Sequence, residues 1–305
     1  VSRPLIGAVE AGGTKFICAV AGDLDELHTV EPHVVATVDP TATMRAVLEY
    51  FAPFAASGDL AALGIGTFGP VSRATRSVLA SSPKVAWRGF DWDAAMRSAL
   101  GDLPLGFDTD TNAAALAESS LGAGAGDDVM VYVTVGTGIG GGITINGHLL
   151  HGLLHPELGH MVVPQDPFDT FVGTCPHHGA CLEGLASGAA IAARWGQRAE
   201  ALELTHPAFD LEATYLAAMC ATITTVLTPG RIVLGGGVAQ VPGLLAAVRR
   251  KTGDLLNGYL AVDRYTTDLD HYLVRPALGS RSGITGAWLL GVNALEASAL
   301  GEQRP

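Results

Sequence analysis

His160, Cys175, His178 and Cys181 have the residue types and the spacing of a metal site. His178 follows Cys175 by three positions and Cys181 follows His178 by three, so one loop can wrap an ion, with His160 reaching in from fifteen positions upstream. Two thiolates and two imidazoles suit Zn²⁺, and four protein ligands leave no open coordination position, which makes the expected site structural. Glu157 precedes His160 by three positions and Glu183 follows Cys181 by two. An ion that fixes this loop therefore also fixes two carboxylates. A surface His-rich loop with unrelated thiols would require two of the four cysteines to flank a histidine at ligand spacing by accident.

A second chemistry is carried by glycine turns. Around Gly12-Gly13-Thr14-Lys15 and Gly136-Thr137-Gly138, backbone N–H groups can form a concave nest of donors for phosphate oxygens. Thr14 and Thr137 add hydroxyl donors and Lys15 a positive charge. Either turn alone could be an ordinary hairpin tip; two at equivalent places in a repeated unit point to a nucleotide held between halves. Gly235-Gly236-Gly237, after a short buried strand, leaves room for an adenosine against the backbone. Gly136 to Gly141 also matches the letters of a dinucleotide fingerprint, but that fingerprint must open a helix, and strand Ile143-Thr144-Ile145 follows at once.

Phosphoryl transfer needs positioning, charge neutralisation and one carboxylate to orient the attacking hydroxyl and accept its proton. Asp110 is the candidate base, because it belongs to the compact polar patch Thr109-Asp110-Thr111-Asn112 between apolar elements. Asp108 is the competing carboxylate, and simple helix N-capping is the non-catalytic reading of Asp110.

These residues must be positioned by two similar α/β units. Leu5 to Glu10 runs through Ala11-Gly12-Gly13-Thr14-Lys15 into Phe16 to Val20; Val129 to Val135 runs through Gly136 to Gly142 into Ile143 to Ile145. Each reads as strand, glycine–threonine turn and strand, a hairpin opening each half of a duplicated fold. The pattern predicts further strands at Ala61–Phe68 and Ile232–Leu234. Helices are predicted at Ala113–Leu121 (with Gly122 as its stop), Leu182–Ala201 and Gly286–Ala299. The expected division is an N-terminal lobe over 1–120 and a C-terminal lobe with the metal loop over 121–285. The glycine-rich Gly122–Asp128 would cross between them, a helix at about 286–305 would pack back on the first lobe, and Gly301–Pro305 would fray.

Composition narrows the class. The chain has 305 residues, 48% of them hydrophobic, enough for a sizeable core but without an uninterrupted apolar run of membrane-spanning length. A net charge of -12 opposes binding to a nucleic-acid backbone. No signal-peptide pattern is expected, since Val1–Val9 already reads as the approach to a strand. Cys18 and Cys220 sit in apolar stretches as core thiols, nothing suggests disulfides, and a cytoplasmic address is expected.

The motifs Glu10-Ala11-Gly12-Gly13-Thr14-Lys15, Thr109-Asp110-Thr111-Asn112-Ala113-Ala114, Gly136-Thr137-Gly138-Ile139-Gly140, Glu157-Leu158-Gly159-His160, the Cys175–Glu183 loop and Leu234-Gly235-Gly236-Gly237 together resemble the ROK sugar kinases. The resemblance covers nearly the whole chain. It is most specific to the bacterial zinc-containing fructokinases, through Thr67-Phe68-Gly69-Pro70, Ser82-Pro83-Lys84 ahead of Trp87, and the Cys-Pro-x-His-x-x-Cys-Leu-Glu-Gly-Leu run. It implies the two-lobed actin/hexokinase-type (ribonuclease H-like) α/β fold with an interlobe cleft. It also implies ATP- and Mg²⁺-dependent phosphorylation of D-fructose at its 6-hydroxyl, a structural Zn²⁺ and a homodimer.

By the same resemblance Asp110 is the base, and Glu157, His160, Glu183 and Thr109 line the sugar site. The residues Gly12–Lys15 and Gly136–Gly138 hold phosphates, and Gly235–Gly237 hold adenosine. Thr109 stands where the family's glucokinases usually have Asn, which counts against glucose. Glu10 stands where they usually have Asp near the phosphate-bound Mg²⁺. Mannose, glucose and N-acetylmannosamine are the alternative sugars. A sugar-sensing ROK regulator is the non-enzyme alternative, opposed by the acidic charge and by a first strand that begins without a preceding DNA-binding segment.

Overall fold

The computed structural model describes residues 3–301. Two five-stranded sheets dominate it. The first contains β1 (Leu5–Ala11), β2 (Lys15–Ala21), β3 (His33–Ala36), β4 (Leu60–Thr67) and β7 (Leu105–Thr109), in the order β3-β2-β1-β4-β7. The second contains β8 (Val129–Val135), β9 (Ile139–Ile145), β10 (His148–Leu149), β11 (Arg231–Gly235) and β12 (Leu273–Val274), in the order β10-β9-β8-β11-β12. Each sheet opens with an antiparallel hairpin; β3 and β10 extend it antiparallel on one side, while β4 and β7, and β11 and β12, add parallel on the other. The same strand order in both is the duplication expected from the two glycine–threonine hairpins. A small ribbon, β5 (Val71–Ser72) with β6 (Ser77–Val78), stands apart.

The helices are α1 (Leu24–Thr29), α2 (Pro40–Ala56), α3 (Trp92–Leu100), α4 (Asp110–Leu121), α5 (Leu182–Ala186), α6 (Gly188–Trp195), α7 (Ala208–Leu227), α8 (Leu244–Leu256), α9 (Asp263–Thr266), α10 (Leu269–Tyr272) and α11 (Ser282–Ala299). Among the described residues no helix is long and apolar enough to cross a membrane.

The chain divides into two compact units. One holds the described residues up to Ala117, the short segment His151–His155 and the described residues from Ser280 onward; the other holds Glu118–Leu150 and Pro156–Gly279. The division falls inside α4, so residues 122–128 lie within the second unit. Residues 302–305 of the expected terminal segment lie outside the described residues.

In the first unit the strand alternation sorts side chains onto two faces. Val9, Ala11, Phe16, Cys18 and Ile65 face a core with Phe51, Trp87 and Trp92; Ile6, Ala8, Ala19, Ala21 and Ala62 face Ile284, Ala287 and Trp288 of α11. The helix lies so close that a Cβ on Gly64 would stand 1.8 Å from the Ala287 carbonyl oxygen, so only glycine fits there. Trp288 Nε1 donates to the Ala21 carbonyl at 3.1 Å and fixes the register. The helix begins at Ser282, four residues earlier than its apolar pattern suggests.

The second unit has one continuous core, built from β8, β9 and β11 against α5, α6, α7 and α8. The long helix expected over 182–201 is broken at Ser187, whose backbone is extended and whose hydroxyl accepts from Ala190 N. Apolar spacing continues across this break and hides it.

Within α7, Glu212 is 1% exposed and neither carboxyl oxygen has a hydrogen-bond partner. Burial pushes its pKa well above 4.5, and nearby Arg194 only partly opposes this. An acid whose folded pKa is raised loses stability as pH climbs above its unfolded value. Glu212→Gln should therefore melt close to wild type near pH 4.5 and increasingly higher as pH rises. The gap should widen by at most about 1.4 kcal/mol per pH unit, until the folded pKa is passed. Melting curves at pH 5 and pH 8 test this; a pH-independent gap would show that Glu212 is not a buried neutral acid.

Candidate active site

The β1–β2 tip carries Gly12, Gly13, Thr14 and Lys15. Gly12 N donates to Lys15 O at 3.0 Å, Thr37 Oγ1 donates to Gly12 O at 2.9 Å, and Thr37 N donates to Thr14 O at 3.0 Å. The side chains of Thr14 and Lys15 are exposed. Lys84 Nζ donates to Gly13 O at 2.6 Å, which brings a second ammonium to this turn. Lys84 belongs to the Ser82-Pro83-Lys84 motif, but nothing in its local spacing points to a turn 71 positions away.

Asp110 is the first residue of α4, directly after β7. Its Oδ1 accepts from Thr111 N at 2.8 Å. Burial raises its pKa to about 6, with the backbone hydrogen bond pulling the other way. A carboxylate so tuned is a better proton acceptor than one at the ordinary value of 3.8.

Asp108, the competing carboxylate, is committed elsewhere. It is 2% exposed; its Oδ1 accepts from Thr109 N at 2.8 Å and from Asn112 Nδ2 at 2.6 Å, and its Oδ2 lies 2.7 Å from His151 Nε2. Thr109 is buried as well. Its hydroxyl accepts from Asn112 N at 3.1 Å and pairs with Thr111 Oγ1 at 3.2 Å, so it caps the start of α4.

Glu10, on β1, belongs to the same unit. Its pKa is raised to about 7, first by burial and then by the negative charge of Asp110, against Lys15 and a backbone hydrogen bond from Ile284. Its Oε2 is buried without a hydrogen-bond partner, as expected of an oxygen meant for a cation or its water shell.

In the second unit the four predicted metal ligands converge. Their ligand atoms all lie within 4.8 Å of one another. Cys175 Sγ is 3.7 Å from His160 Nδ1 and 3.6 Å from His178 Nδ1, and Cys181 Sγ is 3.6 Å from His160 Nδ1. Ligand bonds of about 2.0–2.3 Å in a tetrahedron give edges of roughly 3.3–3.8 Å. The donor set and these three separations fit Zn²⁺.

His160 is two-sided: while Nδ1 faces the thiols, Nε2 lies 4.0 Å from Glu157 Oε2. Glu183, in the first turn of α5, accepts from Ile139 N at 2.8 Å. Its Oε2 would sit 2.6 Å from a Cβ on Gly138, so the absence of a side chain there is what lets the carboxylate reach the turn. The same turn is held from α6, where Gly188 N donates to Gly136 O at 2.7 Å and Ala189 N to Thr137 O at 3.3 Å. The break at Ser187 places these two amides. Gly235 ends β11, and Gly236 takes the left-handed backbone (φ +88°) ahead of Gly237.

Thus Gly12–Lys15, Glu10, Thr109 and Asp110 share the first unit. Glu157, the four metal ligands, Glu183, Gly136–Gly138 and Gly235–Gly237 share the second.

Duplicated five-stranded sheets with glycine-turn hairpins, a carboxylate at the start of the helix after β7 and a Cys/His-clamped loop are the parts of a two-lobed sugar kinase. The chain belongs to the ROK family, whose model matches residues 6–293. It is 40% identical over 299 residues to a putative fructokinase of Bacillus subtilis, covering 97% of this chain and 98% of that one. It is 39% identical over 301 residues to the fructokinase of Zymomonas mobilis, covering 96% and 98%. Among solved structures it is similar to a ROK family glucokinase from Streptomyces griseus in complex with glucose and AMPPNP, with TM-score 0.73, 28% identity, and 95% and 99% of the two chains covered.

Proposed function

We propose that the protein is an ATP-dependent fructokinase. The 6-hydroxyl of D-fructose attacks the γ-phosphorus of ATP, its proton passes to Asp110, and fructose 6-phosphate and ADP leave. The observation that carries this reading is the Asp110 carboxyl, raised to about 6 beside an Asp108 already occupied by three donors. Near full-length similarity to fructokinases at 39–40% identity supports fructose as the acceptor.

In this reading Glu157, His160 and Glu183 hold the sugar, and Thr109 shapes the turn beside it. The tips Gly12–Lys15 and Gly136–Gly138 hold phosphate oxygens, and Gly235–Gly237 give the adenosine a flat backbone surface. Mg²⁺ would neutralise phosphate charge, and the orphaned oxygen of Glu10 fits its water shell. Zn²⁺ would be held by His160, Cys175, His178 and Cys181, with no step of the reaction at the metal. Four unpaired cysteines support a reducing, cytoplasmic address, and a homodimer completes the proposal.

A coupled assay with ATP and Mg²⁺ across fructose, mannose, glucose and N-acetylmannosamine tests the assignment. Fructose is expected to give the highest kcat/KM. A higher value for another sugar would overturn the fructose assignment, and no turnover of any hexose would overturn the kinase.

A further inference from the structure

His151–His155 is a short segment whose neighbours on both sides belong to the second unit, yet it packs within the first. Histidines at its two ends anchor it. His155 Nε2 accepts from Val71 N at 3.1 Å, and His151 Nε2 lies 2.7 Å from Asp108 Oδ2. The His151 side chain is 15% exposed and that of Asp108 2%. No spacing rule links residues 43 positions apart, so His151 is invisible to a motif search.

What His151 touches is the brace of the catalytic turn. Through Oδ1, Asp108 ties the backbone of Thr109 and the side chain of Asn112, the residues on either side of Asp110 and Thr111. Its Oδ2 has His151 at 2.7 Å and, more distantly, Arg73 Nε at 3.9 Å. The Asn112 amide also lies 3.4 Å from His151 Nε2. A buried carboxylate whose Oδ2 loses its near partner must find another, and the cheapest route is rotation about its own side chain. That rotation would release Thr109 N and Asn112 together, and with them the start of α4.

We propose that His151 is a positioning residue for phosphoryl transfer: by holding Oδ2 of Asp108, it locks the Thr109–Asn112 turn and sets the placement of the Asp110 carboxylate. The inference rests on Asp110 being the base. Misplacing a reacting group by about 1 Å can cost on the order of 10²-fold in rate. His151 therefore acts on kcat, while the glycine turns that receive ATP are untouched.

The test compares His151→Gln with His151→Asn. Glutamine places its amide near the position of Nε2 and can still donate to Asp108; asparagine places its amide nearer the position of Nδ1 and falls short. His151→Gln should keep kcat within about threefold of wild type, and His151→Asn should lose about 10–100-fold in kcat with the KM for ATP nearly unchanged. In an Asp110→Asn background the further change to His151→Asn should cost almost nothing, because there is no base left to misplace.

Equal kcat for the two single variants, whether both intact or both impaired, overturns the proposal. So does an undiminished effect of His151→Asn in the Asp110→Asn background, which would mark a merely structural histidine. Full turnover by Asp110→Asn alone would instead remove the reading on which the inference stands, and that outcome is separately visible.

Discussion

Asp110→Asn is expected to lower kcat by about 10²–10⁴-fold, because asparagine keeps the size and capping ability of the residue but cannot accept the hydroxyl proton. Stability should move the other way. The Asp110 carboxyl has its pKa raised from 3.8 to about 6 by burial, so its charged form opposes folding, increasingly above its unfolded pKa and in full above about pH 6. The neutral amide removes that opposition, and the Tm of the variant at pH 8 should equal or exceed that of wild type. For wild type, activity should fall as pH drops through about 6, where the base takes up its proton. The same substitution at Asp108 should be milder, since that carboxylate braces the turn rather than receiving the proton. Near wild-type turnover of fructose by Asp110→Asn would end the assignment of the base.

The second large effect should follow loss of the metal. Cys175→Ser, or chelation, is expected to weaken fructose binding by about 10–100-fold, the range typical when groups that orient a metal site are lost. His160 transmits the change: with no ion on Nδ1, its ring is no longer held beside Glu157, and the loop leading to Glu183 loosens. ATP affinity should change by less than about threefold, because Gly136 and Thr137 remain held by the amides of Gly188 and Ala189. Metal content per chain, with separate binding curves for fructose and ATP, decides the matter. One zinc per chain, impaired sugar binding and retained nucleotide binding support a scaffold. A metal-free native protein with full activity refutes it.

The legible parts of this protein are those in which chemistry and spacing lie close together in the chain. Cys175, His178 and Cys181 announce a metal loop because three ligands fall within seven residues, and the structure brings their ligand atoms together. The glycine turns are readable because a hairpin tip needs them locally, and their repetition implies two similar sheets. What the sequence does not show depends on tertiary contacts. Lys84 meets Gly13, and His151 meets Asp108, across loops whose course no periodicity encodes. The break at Ser187 is hidden because Ala189 and Ala193 continue the helical apolar spacing of Leu182, Leu185 and Ala186 across it. The hydrogen bonds from Gly188 to Gly136 and from Ala189 to Thr137 show what the restart achieves.

The fit of α11 against Gly64 has a consequence for how the chain is made. Residues 282–299 pack across β1, β4 and β7 on one face of a sheet whose strands lie between residues 5 and 109, so much of that face stays bare until the ribosome has supplied almost every later residue. The unit with the Cys/His cluster, by contrast, draws its residues from 118–150 and 156–279 and can close while synthesis continues. The half begun first is thus the half finished last. At a translation rate of about 5–20 residues per second, Ile6, Ala8, Ala19 and Ala62 wait on the order of ten seconds or more for Ile284, Ala287 and Trp288. A nascent chain stalled before α11 would present this apolar face to chaperones, and truncation ahead of residue 282 should yield insoluble protein even though every candidate active-site residue is already in place.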